Sequence, residues 1–213
     1  MRPIRSGEPD TLSEVTDRTQ QAALFLTPLA EVKKIVLGCI ARAQQHYPVR
    51  LHAFVFMSNH FHLLLSCDDA DQLAKFMAFV KSNIARKINR LAGRRGAFWE
   101  RRYYNIPITF EDAAQTERLR YLLAHGVKER LVHKARQWPG ASSLPWLLDG
   151  QELQGVWHDC TAEYNSNRSA KRRAAIKPGD FETTLPIEMS PLPCWAHLPE
   201  HEWRAIVGEI GKR

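Results

Sequence analysis

The stretch that most constrains the fold is Val55-Phe56-Met57-Ser58-Asn59-His60-Phe61-His62-Leu63-Leu64-Leu65. It reads as a strand, a tight turn at Ser58-Asn59, and a returning strand from His60 to Ser66. The paired strands, Leu51–Met57 and His60–Ser66, are nearly all apolar, so they belong in the middle of a sheet covered on at least one face. Side chains alternate along a strand. Phe61, Leu63 and Leu65 can therefore anchor one face, while His60 and His62 stand together on the other. Two imidazoles fixed on a rigid element make half a metal site. By themselves they are equally compatible with two polar residues on a half-exposed strand.

The 213 residues suffice for one domain with a full core and an appendage. No apolar run reaches the roughly 20 residues of a membrane span, and Met1–Asp10 lacks the apolar block of a secretory signal. Cys39, Cys67, Cys160 and Cys194 are scattered and read as reduced thiols of a cytoplasmic protein. A net charge of +7 favours a polyanionic partner without specifying one.

Around the hairpin the chain alternates strands and helices. Residues 11–18 read as a first strand. Thr27-Pro28 reads as a helix start, with Val32, Ile35, Val36, Cys39, Ile40 and Ala43 at helical spacing and Pro48 as the stop. A long helix from about Asp69 to Leu91 carries Leu73, Phe76, Met77, Val80, Ile84 and Ile88 as its core stripe. Lys81, Arg86, Lys87 and Arg90 lie on it, followed by Arg94, Arg95, Trp99, Arg101, Arg102 and Tyr103. The helix charges alone read as a solvated face, but their concentration before this aromatic block favours nucleic-acid contact, since basic residues interleaved with aromatics can grip phosphates and stack on unpaired bases. Trp99 to Ile108 reads as a strand. Thr109 with Asp112 then forms a capping-box-like start to a helix that stops at Gly126. On that helix Tyr121 and His125 are four residues apart and so share a face. Docked over His60 and His62, they would give three imidazoles around a divalent ion with a tyrosine beside it. Residues 165–179 read as a basic linker or arm, and 185–213 as a tail rich in Pro and Trp that packs back on the body.

At this point the residues resemble a known family. Met57-Ser58-Asn59-His60-Phe61-His62-Leu63-Leu64 resembles the first block of the single-tyrosine HUH transposases, in the branch of the REP-associated tyrosine transposases. Lys81–Arg90 followed by Gly93, Gly96, Phe98-Trp99-Glu100 and Arg102-Tyr103-Tyr104 resembles its second block, Tyr121–Lys128 its third, and Trp138–Ser143 its Trp-x-x-Ser-Ser. Four blocks in order and spacing span about residues 11–148. The resemblance implies an α+β fold: a ferredoxin- or RRM-like antiparallel sheet with helices on one face, in the order β-α-β-β-α-β-α, plus an irregular C-terminal extension. Residues 1–148 would be the transposase domain and 149–213 the linker and tail. It implies a Mg2+ or Mn2+ ion on His60, His62 and His125, Tyr121 as nucleophile, and single-stranded hairpin DNA as substrate. It also implies a 5′-phosphotyrosine intermediate, and a monomer in preference to a dimer. His125-Gly126 departs from the family's Asn-Pro, and Ser58 stands in place of its proline.

Two rivals fit the same residues. One is a domesticated hairpin-binding protein without cleavage activity, which would keep the basic-aromatic blocks. The other is a zinc hydrolase using water, for which three histidines are a common ligand set; it leaves Tyr121 without a role, and no Glu base follows the His pair.

Overall fold

The computed structural model describes residues 11–168, 176–177 and 179–211. Strand β1 (Ser13–Arg18), helix α1 (Ala30–His46), strands β2 (Arg50–Phe56) and β3 (His60–Ser66), helix α2 (Ala70–Leu91), strand β4 (Tyr104–Pro107) and helix α3 (Asp112–Leu123) follow one another as the sequence leads one to expect. The four strands form one antiparallel sheet in the order β2-β3-β1-β4. The hairpin strand β3 is internal, between β2 and β1.

Alternation along the strands divides the core in two. Val15, Phe54, Phe56, Phe61, Leu63 and Leu65 pack with α1 and α2 on one face. Ala53, Val55, Met57 and Leu64 point the other way and meet Leu119, Leu122 and Leu123 of α3. Phe61, Leu63 and Leu65 are fully buried; burying one such side chain is worth about 1.5–3 kcal/mol. They fix the strand's register, and with it the face on which His60 and His62 stand.

β2 is an edge strand rather than a central one, yet its outer rim is covered. The Phe56 amide donates to the Ala141 carbonyl and the Ser143 amide to the Phe54 carbonyl. The Trp138 indole N–H donates to the Phe56 carbonyl at 3.0 Å. The Trp138–Ser143 segment thus closes a sheet edge that would otherwise offer free backbone groups to another chain.

Several boundaries differ from the sequence reading. Helix α1 is capped at Leu29, because the Thr27 hydroxyl donates back to the Leu24 carbonyl. The strand expected over Trp99–Ile108 is only Tyr104–Pro107; Trp99 makes a single bridge to Thr19. Helix α3 is preceded by Glu111 with no side-chain cap, so the Thr109–Asp112 box does not form. Gly126 does not stop the helix. The α3 segment breaks at Ala124 and a short turn, α4 (His125–Lys128), carries on to Arg130, whose φ of 57° ends it.

The C-terminal part is more regular than its sequence suggests. Helix α5 (Leu144–Asp149), strand β5 (Leu153–His158), helix α6 (Cys160–Asn167), strand β6 (Glu182–Ile187) and helix α7 (Glu200–Gly211) are all formed. β5 and β6 make an antiparallel ribbon against α1. A Cβ on Gly155 would stand 2.2 Å from the Leu37 carbonyl oxygen, and one on Gly38 2.2 Å from that of Val156. Only glycine permits this backbone contact. Trp203, Val207 and Ile210 of α7 complete the second core, with Trp203 stacked on Trp146. Residues 169–175 and 178, the greater part of the basic arm read over 165–179, lie outside the described residues. Among the described residues no helix is long and apolar enough to cross a membrane.

Candidate functional site

Because β3 alternates, His60 and His62 emerge on the α3 side of the sheet, and the α3–α4 junction brings Tyr121 and His125 over them. The ligand atoms of His60, His62 and His125 all lie within 4.8 Å of one another. His60 Nε2 is 2.7 Å from His125 Nε2. The Tyr121 ring lies 5.2 Å from that of His125 and 5.8 Å from that of His62, centre to centre. These four residues share an open cleft of about 480 Å³ with Arg18, Asn59, Glu100, Arg101, Tyr104 and Glu129. The break at Ala124 does not separate Tyr121 from His125, since Ala124 keeps helical φ and ψ.

The imidazoles are aimed from behind. Asn59 Oδ1 holds His60 Nδ1 at 2.7 Å, and Glu14 Oε1 holds His62 Nδ1 at 2.7 Å. Their Nε2 atoms are therefore the ones left for the centre, a support common behind metal-bound histidines. Glu14, on β1, is buried; its second oxygen accepts from Arg118 at 2.8 Å, one turn before Tyr121 on α3. One carboxylate thus links β1, β3 and the tyrosine helix. Burial raises the Glu14 pKa, but the hydrogen bond and charge of His62 and the charge of Arg118 outweigh it, and the carboxyl sits below its ordinary value. Burial, with the charges of His62 and Arg18, pushes His60 down to about 4. Burial, with His62, His60 and Lys128, does the same to His125. Both rings are consequently neutral at pH 7, the form that can bind a metal. His125 Nδ1 is buried with no partner, so this ring's only engaged nitrogen is the one that faces His60. The donor set, its aim and its protonation fit a divalent ion. Lys128 Nζ stands 4.4 Å and the Arg118 guanidinium 5.9 Å from the centre of the Tyr121 ring.

The residues read as nucleic-acid contacts divide. Lys81 pairs with buried Asp17 and lies over the rings of Trp99 and Tyr103. Trp99 packs edge-on against Phe61, its indole N–H on the Lys81 carbonyl, and Tyr103 belongs to the core. Lys87 is turned under β5, over Trp157 and against the His158 carbonyl. These four serve the body of the fold. Arg86, Arg90, Arg95, Arg101 and Arg102 are exposed. Arg90 pairs with Glu163, and Arg94 stacks on Phe25. Arg101 reaches the rim of the histidine cleft, bonded to the Tyr104 hydroxyl at 2.7 Å. Glu14, Asn59 and Arg118 were not picked out from sequence. Glu14 lies in a strand of mostly polar residues, Ser13–Arg18, where no local signal singles it out.

With this geometry in place, residues 27–122 match the family model described as transposase, IS200-like. The matched stretch is somewhat less than half of the chain. It contains His60, His62 and Tyr121 and stops just short of His125. A Haemophilus influenzae protein described as a REP-associated tyrosine transposase is 27% identical over 108 residues, which are 46% of this chain and 61% of the relative. The solved structure of a REP-associated tyrosine transposase bound to a REP hairpin aligns with a TM-score of 0.53 at 16% identity, covering 67% of this chain and 82% of that one. A crystal structure described as a transposase from Deinococcus radiodurans gives a TM-score of 0.40 at 18% identity, covering 56% of this chain and 95% of that one. The first of these structures shares this chain's fold of an antiparallel sheet with packed helices.

Proposed function

We propose that the chain is a metal-dependent single-stranded DNA endonuclease and strand transferase that acts at hairpin DNA through Tyr121. The observation that carries this is the packing of one tyrosine against three convergent imidazoles in a cleft open to solvent. The family match and the REP-hairpin complex of the structural neighbour support the substrate class.

His60, His62 and His125 would hold a divalent metal ion, which when bound polarises a phosphodiester and stabilises a departing alkoxide. Tyr121 Oη attacks phosphorus as its proton passes to solvent. The P–Oη bond forms as the P–O3′ bond breaks, and the 3′-oxygen takes up a proton. The product is a 5′-phosphotyrosine, whose retained ester energy permits rejoining to another 3′-hydroxyl. Lys128 and Arg118, over the Tyr121 ring, put positive charge beside the phosphate that Tyr121 would attack. Glu14 and Asn59 keep the imidazoles aimed. Arg101, with Arg95 and Arg102, receives the DNA backbone from the cleft rim. Lys81, Lys87, Trp99 and Tyr103 support that surface from within. The reading includes a monomer, supported by the four-residue length of edge strand β4 and the covered rim of β2. It also includes a cytoplasmic setting, supported by four free cysteines.

The test is incubation of the full chain with 5′- and 3′-labelled hairpin single-stranded DNA and Mg2+ or Mn2+, followed by a denaturing protein gel. A covalent protein–DNA band is the outcome we anticipate, absent in Tyr121→Phe and His60→Ala. Hairpin binding with no adduct would replace this reading with that of a binding module.

A further inference from the structure

We infer that the centre is a three-nitrogen transition-metal site that selects Mn2+, Co2+ or Zn2+ against Mg2+; the inference rests on the reading of His60, His62 and His125 as metal ligands. Three observations carry it. The donors that converge are imidazole nitrogens, and His60 and His62 are turned by Asn59 and Glu14 so that Nε2 faces inward. Of the carboxylates that line the cleft, Asp17 is paired with Lys81, and Glu129 lies outside the group of converging ligand atoms. Both oxygens of Glu14 are taken, one by His62 Nδ1 and one by Arg118. Glu100 is paired with Arg18 and Arg101. Among the described residues no group of three ligating side chains at this centre includes a carboxylate. Thirdly, the buried, unpartnered Nδ1 of His125 leaves its Nε2 as the nitrogen turned toward the other two rings.

Mg2+ is a hard cation that favours oxygen ligands and dehydrates reluctantly. Imidazole suits borderline ions of the first transition row, whose affinity for nitrogen rises from Mn2+ through Co2+, with Zn2+ above Mn2+. A site offering three nitrogens and no carboxylate gives Mg2+ nothing it prefers over water. It gives Co2+ and Zn2+ three strong bonds and leaves positions for a substrate oxygen. The buried carboxylate behind His62 makes that ring a stronger donor and reinforces the preference.

The experiment is metal binding by the chelator-stripped full chain, read by calorimetry and, for Co2+, by its visible d–d absorption. Co2+ should bind at one site with intense visible bands. Mg2+ at millimolar concentration should neither release binding heat nor displace it. Glu14→Gln should weaken Co2+ roughly 10- to 100-fold, and His125→Asn should narrow the gap between Co2+ and Mg2+ by at least about tenfold. Circular dichroism of the metal-free variants separates lost ligands from lost fold, and the wild-type comparison of Co2+ with Mg2+ decides the matter even where a variant misfolds. Mg2+ binding as tight as Co2+, or no binding of either, overturns the inference. Because these readouts need no DNA, selective Co2+ binding without a covalent adduct would sink the nuclease reading and leave the metal assignment standing. An adduct supported equally by Mg2+ and Mn2+ would do the reverse.

Discussion

The β2–β3 hairpin carries histidines at both ends, and the two ends use them oppositely. Near its open end, His52 is the extra residue of a register shift between Leu51 and Ala53. Its Nδ1 meets the Pro191 carbonyl at 2.6 Å and its Nε2 the Ser66 hydroxyl at 2.9 Å. Every polar atom of that ring is answered, and it ties the C-terminal segment to the sheet. Near the turn, His60 meets Asn59 on one nitrogen and only another imidazole, His125, on the other; His62 is held by Glu14 on Nδ1, and His125 has a nitrogen with no partner. Burial is similar at His52, His62 and His125. What separates a structural histidine from one free to act is therefore whether its second nitrogen is taken up by backbone and hydroxyl groups of the fold or turned toward the other imidazoles.

The sharpest way to break this comparison is to delete one histidine from each end. His62→Ala should reduce covalent adduct formation by at least about a thousandfold, the scale of a lost metal site, whereas His52→Ala should leave the adduct yield per folded molecule within about threefold. Equal losses in both would erase the distinction. The reverse ranking holds for stability. His52→Ala should cost roughly 2–4 kcal/mol in urea unfolding, since it opens a cavity and strands buried hydrogen-bond partners.

Acid sharpens the contrast further. Burial pushes His52 down to about 4, against an ordinary value of 6.5. Between those values the unfolded chain binds a proton that the folded chain refuses. The stabilisation is present above pH 6.5 and drains away as pH falls toward 4, by about 3 kcal/mol. The fall in unfolding free energy from pH 7 to 4 should thus be shallower in His52→Gln than in the wild type; an identical slope would show that the ring is not held neutral. The smallest effect belongs to a pair of neither kind. Arg90 and Glu163 meet at 3.2 Å on the surface, and Arg90→Ala should change stability by under about 0.5 kcal/mol, setting the baseline for the others.

Much of this was legible in the chain because it depended on period. Alternation placed Phe61, Leu63 and Leu65 inside and the histidines together, and a spacing of four brought His125 beside Tyr121 even though the helix breaks between them. What was not legible depended on partners remote in sequence. Lys81 and Lys87 have the pattern of a solvated, DNA-facing stripe, but Asp17 and the His158 carbonyl draw them inward, and no local rule announces a cation's distant partner. Glu14 lay in a strand whose residues gave only a loose alternation. The β5–β6 ribbon was missed because its apolar residues, Leu153, Leu185 and Ile187, are few and its partner surface is a helix near the other end of the chain.

The contact between Gly38 and Gly155 has a consequence for the order in which the molecule is made. Helix α1 is made well before the strand that lies on its glycine, since Ala30–His46 precedes Leu153–His158 in the chain. Until β5 arrives, the strip around Gly38 is bare backbone in water. Contacts this distant are slow to close, so the nascent chain carries an open seam on α1 until Leu153–His158 has been made. The sheet and its histidines can be in place while that seam is still waiting for its cover.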